Sequence, residues 1–269
     1  MQGSEGSKGS IQRHRKVEYP LYYSPGRNLV HVVVKLRDTP GGLARVLEAL
    51  GGLVDLIGTT SYRLKDGHAI FSGFAELVSE GETARSVKEA VAAVDGVAAC
   101  DAWESRQGLL VDRFHTGIQS GNGESYILLP AAALAQTFAK VVQTLGSGGE
   151  TILYLEGVNL AATRFETYRR MLGPEPVTRV EEASHIYEAL GYGSSSITLE
   201  HSGRVVRLIQ KDCFECSGPV KGMTSCAFMR GLAAGSFGAV LRKEMKSDEV
   251  RCRLRGDESC EFVLTVLGD

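Results

Sequence analysis

Beginning at Leu29, the stretch LVHVVVKL is apolar and β-branched nearly throughout, the pattern of a buried strand. Residues DTPGG then break it, with Pro40, Gly41 and Gly42 making a turn into the next element. Leu43, Val46, Leu47 and Leu50 follow at helical spacing. VDLIGTTSYRL and HAIFSGFAELV flank a Lys65-Asp66-Gly67 turn and predict a hairpin. Thr83 to Val94 reads as a second helix and GVAACDAWES as a closing strand. The order over residues 29–105 is therefore βαββαβ.

Residues 106–125 begin apolar and end in Gly, Ser and Asn, so they are read as a linker, with His115 exposed or capping. A second domain, residues 126–269, opens at YILLP. AALAQTFAKVVQTLG predicts an amphipathic helix stopped by Gly146, and a glycine-rich loop from Gly146 to Gly149 precedes another helical stretch. That loop lacks the Lys-Ser/Thr of a phosphate-binding loop, and GYGSSS at 191–196 follows a helix and lacks a third glycine. VTRVEEASHIYEALG predicts a third helix, and SSSITLE with GRVVRLIQKD a hairpin turning at Ser202-Gly203. After the loop DCFECSG comes a long apolar helix whose Gly231, Gly235 and Gly238 lie nearly on one side. Such a face admits a closely packed backbone, so the helix is read as a core helix or a dimer seam. DEVRCRLRG and SCEFVLTVL close the chain as paired strands.

Composition narrows the function classes. The chain has 269 residues, 43% hydrophobic and 23% charged, with net charge −2, so no whole-chain basic field attracts nucleic acid. No apolar run approaches a membrane span and no secretory signal opens the sequence, so a cytoplasmic protein is expected. Residues 1–28 are rich in Gly, Ser and charge and are expected to form a flexible arm. Five of the six cysteines, Cys213, Cys216, Cys226, Cys252 and Cys260, fall in the final quarter. In a chain expected to stay in the cytoplasm, that crowding favours metal or redox use over a disulfide framework. Cys226, Glu249, Cys252 and Cys260 have the number and softness zinc prefers. Buried thiols beside a solvated glutamate are the alternative on spacing alone. Cys213 and Cys216 form a C-x-x-C pair that is a second candidate for metal or redox chemistry, in a set with Cys252 and Cys260. The residues assemble no nucleophile–base motif and no dinucleotide fingerprint, so no enzyme is expected.

Two resemblances add to this reading. The βαββαβ order is the ferredoxin-like arrangement. With D-x-P-G-x-L present as Asp38, Pro40, Gly41 and Leu43, Gly42 at the variable position, residues 29–105 resemble the ACT domain. That resemblance implies a regulatory module in which the turn, Asp38 and the backbone at Gly41 and Gly42 meet an amino acid or another small ligand. Residues 126–269 look like a 4-vinyl reductase (4VR) domain, on the Cys226 helix with G-L-A-A-G, E-V-R-C and G-D-E-S-C-E-F. It implies a mixed α/β domain with an antiparallel sheet packed on helices, similar in fold to core subunits of vesicle-tethering complexes. In phenol-sensing activators of this kind, three cysteines and a glutamate bind zinc beside an aromatic-ligand pocket. The positions implied here are Cys226, Glu249, Cys252 and Cys260, with His185 able to face the pocket. The tryptophan of the sensors has no match, because Trp103 lies in the other domain. The expectation is an α+β, homodimeric, zinc-containing sensor of an apolar or aromatic molecule, with an amino acid possible at the first domain. A tetrapyrrole vinyl reductase or accessory factor, or an assembly module, is the alternative.

Overall fold

A computed structural model describes residues 16, 20–121, 123–172, 180–218 and 222–268. They fall into two units, one ending at Ile127 and the other opening at Leu128. The first contains β1 (Leu21–Tyr23), β2 (Leu29–Arg37), α1 (Gly42–Leu50), β3 (Val54–Arg63), β4 (His68–Leu77), α2 (Ala84–Ala92), β5 (Val97–Glu104), β6 (Leu109–Val111), β7 (Ile118–Gln119) and β8 (Ser125–Tyr126). Its main sheet has the order β3-β4-β2-β5, each neighbouring pair antiparallel. Central position explains the unbroken apolar run of β2. Val30, Val32, Val34 and Leu36 pack with Val46 and Leu50 of α1 and Val87 and Val91 of α2. On the opposite face Leu29 packs with Phe74, Leu110 and Tyr22.

That second face accounts for a difference from the sequence reading. Residues 20–28 and 106–111, expected as arm and linker, include β1 and β6, which pair antiparallel through Leu21–Val111, Tyr22–Leu110 and Tyr23–Leu109. Three-residue strands carry almost no periodicity, and only the sheet they cover makes them strands. Residues 1–15 of the expected arm lie outside the described residues.

The second unit contains α3 (Ala131–Leu145), α4 (Ser147–Leu172), α5 (Val180–Ala189), β9 (Ser194–Glu200), β10 (Val205–Lys211), α6 (Ala227–Leu241), β11 (Met245–Arg251) and β12 (Cys260–Val266). Its antiparallel sheet runs β11-β12-β10-β9. The predicted glycine-rich loop shrinks to Gly146, at φ 57°, and α4 begins at the next residue. Gly149 is already helical, and a Cβ there would stand 2.7 Å from Val141 O, so its glycine serves close packing.

The glycine face of α6 is filled from within the chain. A Cβ on Gly231 would fall 1.9 Å from Tyr154 O and one on Gly235 2.6 Å from Val158 O. Gly157 of α4 reciprocates, its Cβ position lying 2.2 Å from Phe228 O. Of the two expected roles, α6 is therefore the core helix, with α4 in the place a second copy would have taken. Gly238 differs: its nearest neighbour is Lys243 O, in the turn that ends α6 itself. No helix among the described residues is long and apolar enough to cross a membrane.

Candidate metal centre and apolar cavity

Three pieces of the second unit converge at the N-terminus of α6. Cys226 is its N-cap residue, and the 3₁₀ turn Phe214–Cys216 after β10 brings Cys213 and Cys216 alongside. The β11–β12 hairpin supplies Glu249, Cys252 and Cys260, the chain bulging between Glu249 and Arg251. Cys213, Cys226, Cys252 and Cys260 are fully buried and Cys216 partly so. Cys226 Sγ lies 3.9 Å from Cys213 Sγ, 3.2 Å from Cys216 Sγ, 3.7 Å from Cys252 Sγ and 3.8 Å from Cys260 Sγ. Cys216 and Cys260 are 3.4 Å apart. Glu249 Oε2 accepts the Cys226 amide at 2.9 Å, while its Oε1 is buried with no partner.

Two four-residue sets fit within one ion's reach: Cys226, Glu249, Cys252 and Cys260, and Cys213, Cys216, Cys226 and Cys260. The first is the set expected from sequence. The second corrects the expected alternative, because Cys226 takes the place assigned to Cys252. Both sets share Cys226, which sits centrally where the helix start meets the hairpin.

The surroundings are tightly tied. Cys252 N donates to Asp257 Oδ2 at 2.8 Å, and Arg255 donates to Thr224 O and Glu249 O at 3.3 and 3.4 Å. Ser225 Oγ donates to Glu150 Oε1 of α4 at 3.2 Å. Burial pushes Glu249 above its ordinary value. Hydrogen bonds among the thiols push Cys226 up and Cys260 down, making Cys260 the thiol that ionises first.

Glu215 was missed by sequence reasoning. Wholly buried, its carboxylate accepts the Phe228 and Met229 amides of α6 at 3.2 and 2.8 Å, capping the helix from another element. Desolvation outweighs those bonds and raises its pKa to about 8. The available signal was a glutamate enclosed by two cysteines and a phenylalanine, a setting that rarely stays in water.

A second feature lies among α4, α5 and α6. An apolar cavity of about 40 Å³ is lined by Ala161, Phe165, Ile186, Leu232, Phe237 and Val240, with Tyr187, Tyr192, Ser236 and Arg164 as its polar groups. Arg164 donates to Tyr192 Oη at 2.7 Å, and Tyr187 Oη to Ser236 Oγ at 2.9 Å. His185 is not among the lining residues. Its side chain is 59% exposed and sits 3.6 Å from Glu188, while Ile186 and Tyr187 turn to the cavity.

In the first unit, the expected ligand loop forms a cleft of about 230 Å³ lined by Arg37, Asp38, Thr39, Tyr62 and Arg63 among others. Asp38 is 3.0 Å from Arg63 Nε. Gly41 takes φ 77°, which glycine adopts without strain, but the Gly42 amide is already committed to Thr39 O at 3.0 Å. His115, expected as exposed or capping, is held by Asp112 Oδ2 at 2.7 Å and Tyr62 Oη at 3.0 Å.

Residues 206–266 match the model of the vinyl-4-reductase (4VR) domain family. Uncharacterized protein MJ0150 of Methanocaldococcus jannaschii is 30% identical over 126 residues, 46% of this chain and 69% of that protein. A second protein of that organism, MJ0745, is 40% identical over 42 residues, covering 16% of this chain and 23% of its own length. Among solved structures, the phenol-responsive sensory domain of the transcription activator PoxR aligns with TM-score 0.42 and 21% identity, covering 54% of this chain and 78% of that one. A vinyl-4-reductase family protein from M. jannaschii aligns with TM-score 0.36 and 19% identity over 53% and 85% of the respective chains.

Proposed function

This chain belongs to the vinyl-4-reductase (4VR) domain family, and from that premise we propose that its second unit is a ligand-sensing, non-catalytic module holding a small apolar or aromatic molecule beside a structural zinc site. One observation carries the reading: the cavity among α4, α5 and α6 is apolar in its walls and carries a guanidinium, two phenols and a hydroxyl. Such a site takes a small molecule with an apolar body and one polar or anionic end. At about 40 Å³ the cavity is smaller than an aromatic ring, so binding requires the helices to part. Differential contact with the parted state would be the sensing event.

The cysteine cluster fits zinc. Zinc–sulfur bonds of about 2.3 Å in a tetrahedron place sulfurs about 3.8 Å apart, against 3.7 and 3.8 Å from Cys226 to Cys252 and Cys260. The partnerless Glu249 Oε1 is the oxygen that completes the set. Bound there, the ion supplies structural cross-linking: with four protein ligands no position is left for water. Cys226, Glu249, Cys252 and Cys260 then join the start of α6 to the terminal hairpin, and α6 carries Leu232, Ser236 and Phe237 into the cavity.

The first unit has a second reading of its own. We take its βαββαβ order as ferredoxin-like and ACT-like, with the cleft beside Asp38 and Arg63 as an amino-acid site. The paired acid and base at that cleft suit the two charged ends of a free amino acid.

A thermal-shift screen of phenols, aromatic acids and free amino acids tests both sites. Aromatic compounds are expected to raise Tm, and Ser236→Trp, which fills the cavity, is expected to abolish the shift. No shift from any aromatic compound, with the Ser236→Trp protein folded, overturns the sensing proposal. Amino-acid shifts that survive Arg63→Ala overturn the second.

A further inference from the structure

We propose that the cysteine cluster holds two metal ions, bridged by the thiolates of Cys226 and Cys260. This rests on the single-zinc reading above for one of the two positions and adds a second that Cys213 and Cys216 complete. The two four-residue sets at the α6 N-terminus are not rivals for the same ligands. They share two members, Cys226 and Cys260, and each has two of its own, Cys213 and Cys216 in one, Glu249 and Cys252 in the other. Two tetrahedra joined along one edge need six ligands, two bridging and two terminal on each ion, and six side chains are present.

The distances fit an edge-sharing pair. The common edge, Cys226 to Cys260, measures 3.8 Å, the sulfur–sulfur edge of about 3.8 Å set by 2.3 Å zinc–sulfur bonds. From the bridging Cys226, the terminal sulfurs lie at 3.9 Å on one side, Cys213, and 3.7 Å on the other, Cys252. Cys216 stands closer, 3.2 Å from Cys226 and 3.4 Å from Cys260. It is also the one thiol not fully buried, on a short 3₁₀ turn, and moves outward by roughly half an ångström to complete its tetrahedron.

Charge decides between one ion and two. Five thiolates and a carboxylate carry six negative charges. With a single divalent ion in either set, two ligands lie outside its shell and must keep their protons or stand as buried charges against the bound thiolates. Two divalent ions use all six ligands as anions and leave a net −2, the charge one ion leaves on its own four (four anions less two). The second ion therefore employs the remaining pair without adding charge to a buried site. Thiolate-rich tetrahedral positions select soft or borderline d¹⁰ ions, of which zinc is the ordinary divalent member. An iron–sulfur cube is the wrong shape: its cysteines must surround a whole cluster, whereas these ligand atoms lie within 4.8 Å of one another in each set.

The second ion would also reach the cavity. Phe214, between the two added cysteines, has its ring 5.8 Å from that of Tyr192, which lines the cavity and accepts from Arg164. An ion on Cys213 and Cys216 fixes the turn that carries Phe214, and with it one wall of the ligand site.

Native mass spectrometry of the full chain purified with zinc tests the count. Two zinc ions per chain are expected, falling to one in Cys213→Ser/Cys216→Ser and to one in Cys252→Ser. One ion in the wild type overturns the bridged pair. If Cys213→Ser/Cys216→Ser then keeps that ion, the single Cys226–Glu249–Cys252–Cys260 site stands alone. If Cys252→Ser keeps it instead, the other set is the true site. No ion at all removes both readings. A measurement independent of variant folding is cobalt(II) titration of the metal-free wild type. Tetrahedral cobalt absorption should saturate at two equivalents, with the paramagnetic resonance signal rising over the first and falling over the second as the bridges couple the spins. Saturation at one equivalent, or a signal that grows linearly to two, overturns the shared thiolates.

Discussion

The two units bury polar groups in opposite ways. In the first, His31 lies at the centre of the sheet with no exposure, its Nε2 2.8 Å from Ser72 Oγ and its ring between Phe74 and Trp103. The fold supplies that histidine with its own partner, and it needs nothing from outside. In the second, five thiols and Glu249 are gathered at the start of α6, and the fold leaves Glu249 Oε1 without a partner. A closed pair is a finished piece of structure. An open cluster of soft anions is a site that something positive must finish.

The sharpest way to break this contrast is to withdraw the metal. Structural zinc contributes on the order of 10 kcal/mol to the folding of small sites, more than most domains have in reserve. Chelation, or Cys252→Ser/Cys260→Ser, is therefore expected to unfold the second unit. Trp103, the one tryptophan, reports on the first unit through its fluorescence, and its transition is expected to persist. Far-UV circular dichroism should meanwhile lose the helical signal of α4 and α6. A second unit that stays folded and metal-free would remove the zinc proposal.

Next in size is the glycine seam. Gly231→Val places side-chain carbon where only 1.9 Å separates the Cβ position from Tyr154 O. Because the obstacle is backbone, one helix must shift, at a cost of roughly 3 kcal/mol. Gly238→Ala meets only the chain's own turn at 3.0 Å and should cost distinctly less. Denaturant midpoints compared across the two variants check this, and equal losses would mean that the α4–α6 approach is not what the glycines serve.

The same contrast explains what the sequence made legible. The alternation and β-branching of β2 to β5 are local signals, so the βαββαβ run could be read from pattern alone. In the second unit the glycines of α6 announced a close partner but not which one, since α4 lies some seventy residues earlier in sequence and meets it only in three dimensions. The six clustered side chains were visible individually, Cys213 and Cys216 included. Their division into two sets sharing Cys226 and Cys260 depends on the bulge in β11 and on the 3₁₀ turn, neither of which has a sequence period. Glu215 was invisible because its partners are backbone amides, which every sequence contains.

A third test acts on the closed pair. Burial lowers the pKa of His31 from 6.5 to about 4, with nearby Asp112 opposing that shift and His115 and Arg113 adding to it. The unfolded chain therefore takes up the proton first. Stability from this group is level above pH 6.5, falls as pH drops from 6.5 towards 4, and is level again below. At pH 5 the loss amounts to about 2 kcal/mol. His31→Phe/Ser72→Ala, an apolar replacement of both partners, should flatten that part of the curve when Trp103 unfolding is followed between pH 7 and pH 5. An unchanged slope would show that His31 is not the group responsible.

The smallest effect concerns how the two units close a helix start. In the first, Thr83 Oγ1 accepts the Ser86 amide at 3.1 Å and Ser86 Oγ accepts the Thr83 amide at 2.9 Å, a capping box made within four residues of chain. In the second, α6 is closed by Glu215, a buried carboxylate from another element with its pKa raised to about 8. A local cap survives on its own geometry, whereas a remote one depends on everything that holds the turn in place. Thr83→Ala should therefore cost about 1 kcal/mol, and the cost should be the same with metal bound or removed when read from Trp103. The amides of Phe228 and Met229 should behave differently, exchanging hydrogen slowly with metal bound and rapidly after chelation. A Thr83→Ala penalty that changes with metal would mean that the two closures are not independent, and the contrast between a self-sufficient and a metal-completed unit would fail at that point.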